Sequence, residues 1–465
     1  MKRWFLIALF GLAPACAPSG QLILYIDTDA PVPPEPGTLP DPMRPPALFD
    51  RLRIEVLHDG QPIGGADAVN DFAVDERGFR EGLVSVGIAP PIDDPTVSVR
   101  VTLFRGDRLQ NGVPPQLSSL RRTVRLPPID AAERRGLTVI LHVDDVGQPL
   151  GEPDPLDADL DGPPGSSLVG SWPGATVVPC ASAAPPGQAC VPGGAFWFGD
   201  PALRLSFVGL NPPSDERLVV ISPFFIDTQE VTVGAFRVKW AKLGGRYMPL
   251  LRDLSQDPTS PKTGCTWTDP ASGDEELPIN CLPHDTAQLY CRAVGGQLPT
   301  EAQLEFVSSG RGRELGYPWG NDEPSCADAV WGLGRGGGAM SAVSNADDSC
   351  RASTSLGGVH HAGSARLDRL SLVDPVSQST VEVLDLAGNL SEWTRDRWSR
   401  LDEPFWHATG VLHDPLADRP SDADPSLLWV ERAGSWTDVP YELRAAFRQG
   451  APEAASYAVG FRCAH

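Results

Sequence analysis

Basic clusters are missing from this sequence. Lys and Arg number 38 against 60 Asp and Glu, giving a formal net charge of −22 over 465 residues, and no Lys/Arg-rich run occurs. Such a surface repels polyanions, which argues against nucleic acid as a partner. Beyond the first dozen residues no apolar run is long enough to span a bilayer. No Gly-x-Ser-x-Gly, His-Glu-x-x-His or glycine-rich phosphate loop is present, so the usual signs of serine hydrolases, zinc peptidases and nucleotide enzymes are lacking. The histidines (His58, His142, His284, His360, His361, His407, His413 and His465) include no ligand pair at helical spacing. The adjacent His360 and His361 read as a solvated loop rather than a metal site. Cysteine is absent between Cys16 and Cys180.

What is present begins with an export signal. Lys2 and Arg3 precede the apolar run Trp4 to Leu12, and small residues Ala13-Pro14-Ala15 lead to Cys16. That order predicts a signal peptide over 1–15 and a lipobox in which Cys16 carries a lipid anchor, with Leu12 one place further from the cysteine than usual. The expected location is the cell envelope, at the outer membrane or facing the periplasm, with the membrane itself as one partner. The eight remaining cysteines (Cys180, Cys190, Cys265, Cys281, Cys291, Cys326, Cys350 and Cys463) form an even set suited to four disulfides in an oxidising compartment, among 105 possible connectivities.

With 47 glycines and 48 prolines, the composition favours loop-rich or β-rich architecture, while 41% apolar residues suffice for folded domains. Leu22 to Asp27 reads as a strand, followed by a proline-rich stretch from Pro31 to Pro46. Leu52, Ile54 and Val56 alternate with polar residues up to the turn signal Asp59-Gly60, and Val97 to Leu103 alternates likewise. With Arg121 to Leu126 and Leu137 to Val143, these predict a small β-sandwich over 16–148, acting as a spacer or adhesion-type domain. Residues 149–178 read as an acidic Pro/Gly linker. Within it Asp157-Ala158-Asp159-Leu160-Asp161-Gly162 copies half a calcium loop, but Leu168 stands where the closing glutamate belongs.

A third unit spans 179–465. Thr232 is placed to cap a helix bearing Val233, Phe236 and Trp240 on one face, and Asp285 to Val294 is helical up to Gly295-Gly296. Thr300-Glu301-Ala302-Gln303 is a capping box for a helix ending near Gly310. Motifs then follow in a fixed order. Val191-Pro192-Gly193-Gly194-Ala195-Phe196 precedes Phe225 to Thr232, and Gly295-Gly296-Gln297-Leu298-Pro299-Thr300-Glu301-Ala302 precedes Tyr317-Pro318-Trp319-Gly320-Asn321. Asp385-Leu386-Ala387-Gly388-Asn389-Leu390-Ser391-Glu392-Trp393, Arg432-Ala433-Gly434-Ser435-Trp436, Arg444 to Arg448 and Gly460-Phe461-Arg462-Cys463 complete the series.

In these motifs the chain resembles the formylglycine-generating enzyme, or sulfatase-modifying factor, family. The resemblance implies an α+β fold akin to C-type lectins with little regular secondary structure, here preceded by the β-sandwich. It pairs Cys291 with Cys463. Spacing favours Cys180–Cys190, Cys265–Cys281 and Cys326–Cys350 as local pairs. The resemblance also implies one calcium ion held by Asp385, the carbonyls of Gly388 and Leu390, and Glu392, oxygen donors that suit a hard cation. The family's other calcium site falls at the insertion Gly336 to Ala339 and His360-His361, where Asp328 is the one plausible remnant, so that site is not expected here.

Active members of the family oxidise a substrate cysteine to formylglycine using two cysteines that bind copper(I). The first lies three residues after the serine of the Gly-Ser-aromatic motif and the second five residues further on. Counted from Ser435, these places hold Asp438 and Leu443. A carboxylate and an alkyl group do not form the soft thiolate pair that copper(I) prefers. The tryptophan normally before the calcium glutamate is replaced by Ser391. Iron-dependent relatives draw histidine ligands from a helical domain that this chain lacks. The expected function is therefore that of a non-catalytic envelope lipoprotein, its family domain serving as a recognition or scaffold module for an envelope protein or glycan. Trp398, Trp406 and the segment Gly336 to His361 are its candidate contacts. The alternatives are a modifying enzyme running on a rearranged site of Ser435 and Asp438, and a ligand-free subunit of a complex.

Overall fold

The computed structural model describes residues 21–465 except 40–43, 45, 64–68, 89–95, 128–132, 152, 154–159, 202, 204–215, 242–248, 253–263, 272, 334–348, 351–357, 420–421 and 423–425. Cys16, Asp157, Asp159 and Gly336 to Ala339 lie outside the described residues. No described helix is long and apolar enough to cross a membrane.

In the N-terminal part, alternating residues build two sheets. Gln21–Thr28 pairs antiparallel with Ser85–Ile88 and parallel with Arg134–Leu141. Arg51–His58 pairs with Val97–Phe104, which continues to Leu120–Arg125. Asp59 and Gly60 turn the chain with φ of 49° and 74°, the left-handed pair a two-residue hairpin requires. The sheets share one core: Leu22, Leu24 and Ile26 from the first join Leu52, Val99, Val101 and Leu103 from the second.

Among its described residues the C-terminal part is mixed, with short strands, three α-helices and long connections, an α+β arrangement. Arg448–Ala451, Trp429–Arg432, Ser391–Arg397 and Val459–Gly460 form its four-stranded sheet in that order. The helix Glu301–Ser308 starts with the capping box Thr300/Gln303 formed on both sides. The helix His284–Val294 begins one residue before the expected start and ends at Gly295, whose φ of 95° favours glycine. Thr232 caps Val233–Trp240, and Val233, Phe236 and Trp240 are buried. All eight described cysteines are bonded: Cys180–Cys190, Cys265–Cys281, Cys291–Cys463 and Cys326–Cys350.

The stretch read as an acidic Pro/Gly linker is docked along its described part. Leu160–Asp161 adds to the strand Arg134–Leu141, and Asp27 accepts hydrogen bonds from Ser167 Oγ and the Leu168 amide (2.7 and 2.8 Å). Val169, Trp172 and Ala175 enter the N-terminal core. The apolar residues scattered among the prolines supply this docking, which composition alone conceals.

The two parts are also packed directly together. Ala195, Trp197 and Leu218 belong to the same apolar cluster as Leu48, Phe49 and Leu52, and Phe49 meets Trp197 edge-on at 5.6 Å. Beside them the buried Glu216 receives Arg105 Nη1 and Arg108 Nε, each at 2.8 Å. The sheets therefore brace the C-terminal part instead of standing apart from it.

Candidate functional site

The turn from Asp385 to Leu390 is built from left-handed backbone at Asp385 and Asn389 (φ 53° and 71°). Asp368 organises it: Oδ1 accepts the Leu386 and Ala387 amides (both 2.9 Å), and Oδ2 accepts the Gly388 amide (2.8 Å). Three successive N–H groups directed at one carboxylate form an anion-holding nest. Gly388 must be glycine, since a Cβ there would lie 2.6 Å from the Val330 carbonyl oxygen. Glu230 fixes the far side, accepting from the Leu390 amide at 3.0 Å and from Asn389 Nδ2 at 2.7 Å.

Arg462 lies against this turn. Its Nε donates to both oxygens of Glu392 (2.7 and 2.9 Å), and its Nη2 donates to the Leu384 and Asp385 carbonyls (both 2.8 Å). All five charged groups are buried. Burial raises the carboxyl pKa of Asp385 to about 6 and, with the Asp385 charge added, that of Asp368 to about 7. Burial raises Glu230 well above the usual range, reinforced by Asp385 and Glu392. Glu392 is also raised by burial, against the pull of Arg462.

The four residues expected to hold calcium are thus neighbours on one turn. One observation fits a cation: Asp385 Oδ1 is buried with no hydrogen-bond partner, while Oδ2 accepts from the Gly363 amide at 2.8 Å. Four carboxyl groups around one guanidinium also leave the locality electron-rich. Glu392, in contrast, has both oxygens engaged by Arg462. Asp328 is committed elsewhere: Oδ2 accepts from Ser325 N and Oγ (2.9 and 2.6 Å), and Oδ1 faces Arg366.

The Ser435 loop adjoins the same turn, joined by the Gly434 amide to the Ala387 carbonyl (3.0 Å) and the Trp436 amide to the Asn389 carbonyl (2.8 Å). Ser435, Asp438 and Leu443 are buried. Asp438 closes its own loop: Oδ2 accepts the Ser435 amide at 2.8 Å and Oδ1 accepts from Thr437 Oγ1 at 3.1 Å. Ser435 Oγ lies 2.9 Å from Thr437 Oγ1. Leu443 belongs to an apolar cluster with Tyr317, Trp331, Leu333, Leu390 and Trp436. The residues here do not fit copper(I): one position is a loop-stabilising carboxylate, the other is core, and every described cysteine sulfur is in a disulfide. Glu442, raised to about 8 by burial and the Asp438 charge, and Glu431, raised to about 7 by burial, flank Asp438, itself raised by burial.

Two sequence-based contacts are corrected. Trp398 and Trp406 are about 1% and 0% exposed. Trp406 stacks on Phe198 at 4.7 Å, and Arg448 lies over Trp398 at 4.4 Å. Both are core residues, because flat indoles are the largest apolar bodies available to fill this loop-rich interior. His360 is tied to the turn, its amide donating to Asn389 Oδ1 at 2.9 Å. Sequence reasoning missed Glu230, Asp368 and Arg462 as parts of the site. Glu230 and Arg462 stand within motifs already noted, whereas Asp368 carries no local sign.

The chain is similar to several known proteins. The sulfatase-modifying factor enzyme 1-like domain profile matches residues 175–465. Inactive Cα-formylglycine-generating enzyme 2 of Bos taurus is 25% identical over 223 residues, 47% of this chain and 58% of that protein. Formylglycine-generating enzyme of Bos taurus is 24% identical over 330 residues, 64% of this chain and 78% of that protein. This chain therefore spans little more than half the length of the first relative. Among solved structures, PvdO from Pseudomonas aeruginosa superposes with a TM-score of 0.39 at 18% identity, covering 63% of this chain and 98% of that one. With more than half of its length matched by that profile, the chain belongs to the sulfatase-modifying factor enzyme 1-like family.

Proposed function

We propose that this chain is an exported, lipid-anchored envelope protein whose family domain, C-type-lectin-like in fold, recognises or scaffolds another envelope component without oxidising cysteine. The supporting observation is the chemistry at the two former copper positions. Asp438 is used up in holding the Ser435 loop, and Leu443 is part of a hydrophobic core. Thiolates are the ligands copper(I) selects, and neither residue supplies one. The β-sandwich, docked through Trp197 and Glu216, fixes how the domain is presented from the membrane. Inactive relatives in the family are compatible with this reading.

A competition titration of the disulfide-intact chain with copper(I) against a chromogenic chelator tests the proposal. The chain leaves the chelator complex intact. One equivalent withdrawn by the chain, and no longer withdrawn after Asp438→Asn, would overturn the reading.

A second reading rests on a separate observation. Asp438, Glu431 and Glu442 are three buried acids with raised pKa values in one neighbourhood, and such shifts gather at functional sites. On this reading Ser435 and Asp438 would serve a rearranged modifying enzyme.

The domain would also bind calcium through Asp385 and the carbonyls of Gly388 and Leu390, with Glu392 bridging the ion and Arg462. The open Asp385 Oδ1 supports this. A hard cation would neutralise part of the carboxylate charge and stiffen the turn. Calorimetry with calcium should show one site, with the heat lost in Asp385→Ala. Unchanged heat in that variant removes the site.

A further inference from the structure

We propose that the cleft between the N-terminal proline-rich stretch and the C-terminal part binds a small organic anion, a carboxylate or phosphate ester with an apolar body. The cleft has a volume of about 430 Å³ and is walled by Pro46, Val177, Pro192 and Phe306, with Arg44, Arg311 and Arg313 beside them. That size lies in the ordinary range of small-molecule sites, about 300–1,000 Å³. The site is distinct from the Asp385 and Ser435 turns, and the proposal is independent of the function inferred above.

The charges in the cleft carry the argument. Arg44 is answered by Glu76. Among the described residues, Arg311 and Arg313 have no carboxylate within ion-pair distance. This is unexpected in a chain with 60 acidic residues against 38 basic ones. Arg311 is half-buried, and partial removal of a guanidinium from water is costly unless an acceptor meets it. Burial and the like charge of Arg313 both depress its pKa. An anion in the cleft would relieve both effects.

The backbone places Arg311 there by construction. Gly310, Arg311 and Gly312 run left-handed in succession, with φ of 74°, 61° and 72°. A Cβ on Gly312 would come within 2.5 Å of Phe196 Cβ, so this turn is pressed onto the strand Gly194–Phe198. The Arg311 amide is fixed to the Phe306 carbonyl at 2.7 Å. Left-handed backbone at a non-glycine residue is strained and persists where the surroundings enforce it. A guanidinium held so, above proline and phenylalanine walls, matches an anionic head with a nonpolar tail.

Calorimetry on the full chain with phenyl phosphate, benzoate and inorganic phosphate tests the proposal. Phenyl phosphate or benzoate binds at one site, and inorganic phosphate binds at least about tenfold more weakly because it leaves the walls unfilled. Arg311→Gln weakens the organic anion by about tenfold or more, the loss of a charged hydrogen bond. Arg313→Gln, at an exposed position, gives a smaller loss and keeps the test open should Arg311→Gln fail to fold. No binding of either organic anion at millimolar concentration, equal binding of inorganic phosphate, or undiminished binding in both variants overturns the proposal.

Discussion

Glu392→Ala lowers the unfolding free energy of the chain by about 3–5 kcal/mol, the usual cost of stranding one member of a buried ion pair. Arg462 is 0% exposed and directs Nε and Nη2 at Glu392 (2.6–2.9 Å). Burial alone would lower its pKa, yet the Glu392 charge holds it above the ordinary arginine value. Without Glu392 the guanidinium keeps hydrogen bonds to the Leu384, Asp385 and Asp227 carbonyls, while the Glu230 and Asp385 carboxyls attract it without a direct hydrogen bond. Urea unfolding of the variant should show a lower midpoint at similar slope. Glu392→Leu combined with Arg462→Met should recover much of the loss, because removing both partners avoids the stranded charge. A variant as stable as the parent would mean that Arg462 finds another counter-charge.

The second large effect concerns Cys291 and Cys463. Their bond ties the helix His284–Val294 to the C-terminal segment across 172 residues of sequence. Loop-closure entropy for so long a ring gives about 5 kcal/mol of stabilisation, against about 3 kcal/mol for the rings of 10, 16 and 24 residues at the other bridges. Cys291→Ala with Cys463→Ala should therefore cost more than removal of Cys326–Cys350. Thermal unfolding of the two double variants under oxidising conditions checks the order, and the reverse order would show that native packing outweighs chain entropy here.

Much of this architecture could be read from residues close together in the sequence. Thr300 and Gln303 announce their helix because a capping box is a four-residue device. Asp59-Gly60 announces its hairpin for the same reason. Cysteines separated by 10, 16 or 24 residues suggested their own partners, while Cys291 and Cys463 needed the family resemblance. What escaped depends on distant partners. Asp368 serves amides about twenty residues further along, and Glu230 serves a turn 159 residues away. Trp172 in a proline-rich stretch reads as linker until Asp144 accepts its indole N–H at 2.9 Å. Trp398 and Trp406 read as possible contacts as well as core, because type says little about burial when the enclosing elements are loops.

The proposed function depends on Asp438 and Leu443 standing where the family's oxidases carry their copper-binding cysteines. Its most direct test is mass spectrometry of a cysteine-containing sulfatase peptide after incubation with the full chain, copper, oxygen and a thiol reductant. The peptide should keep its cysteine. A formylglycine aldehyde formed by the parent chain and missing with Asp438→Asn would contradict it.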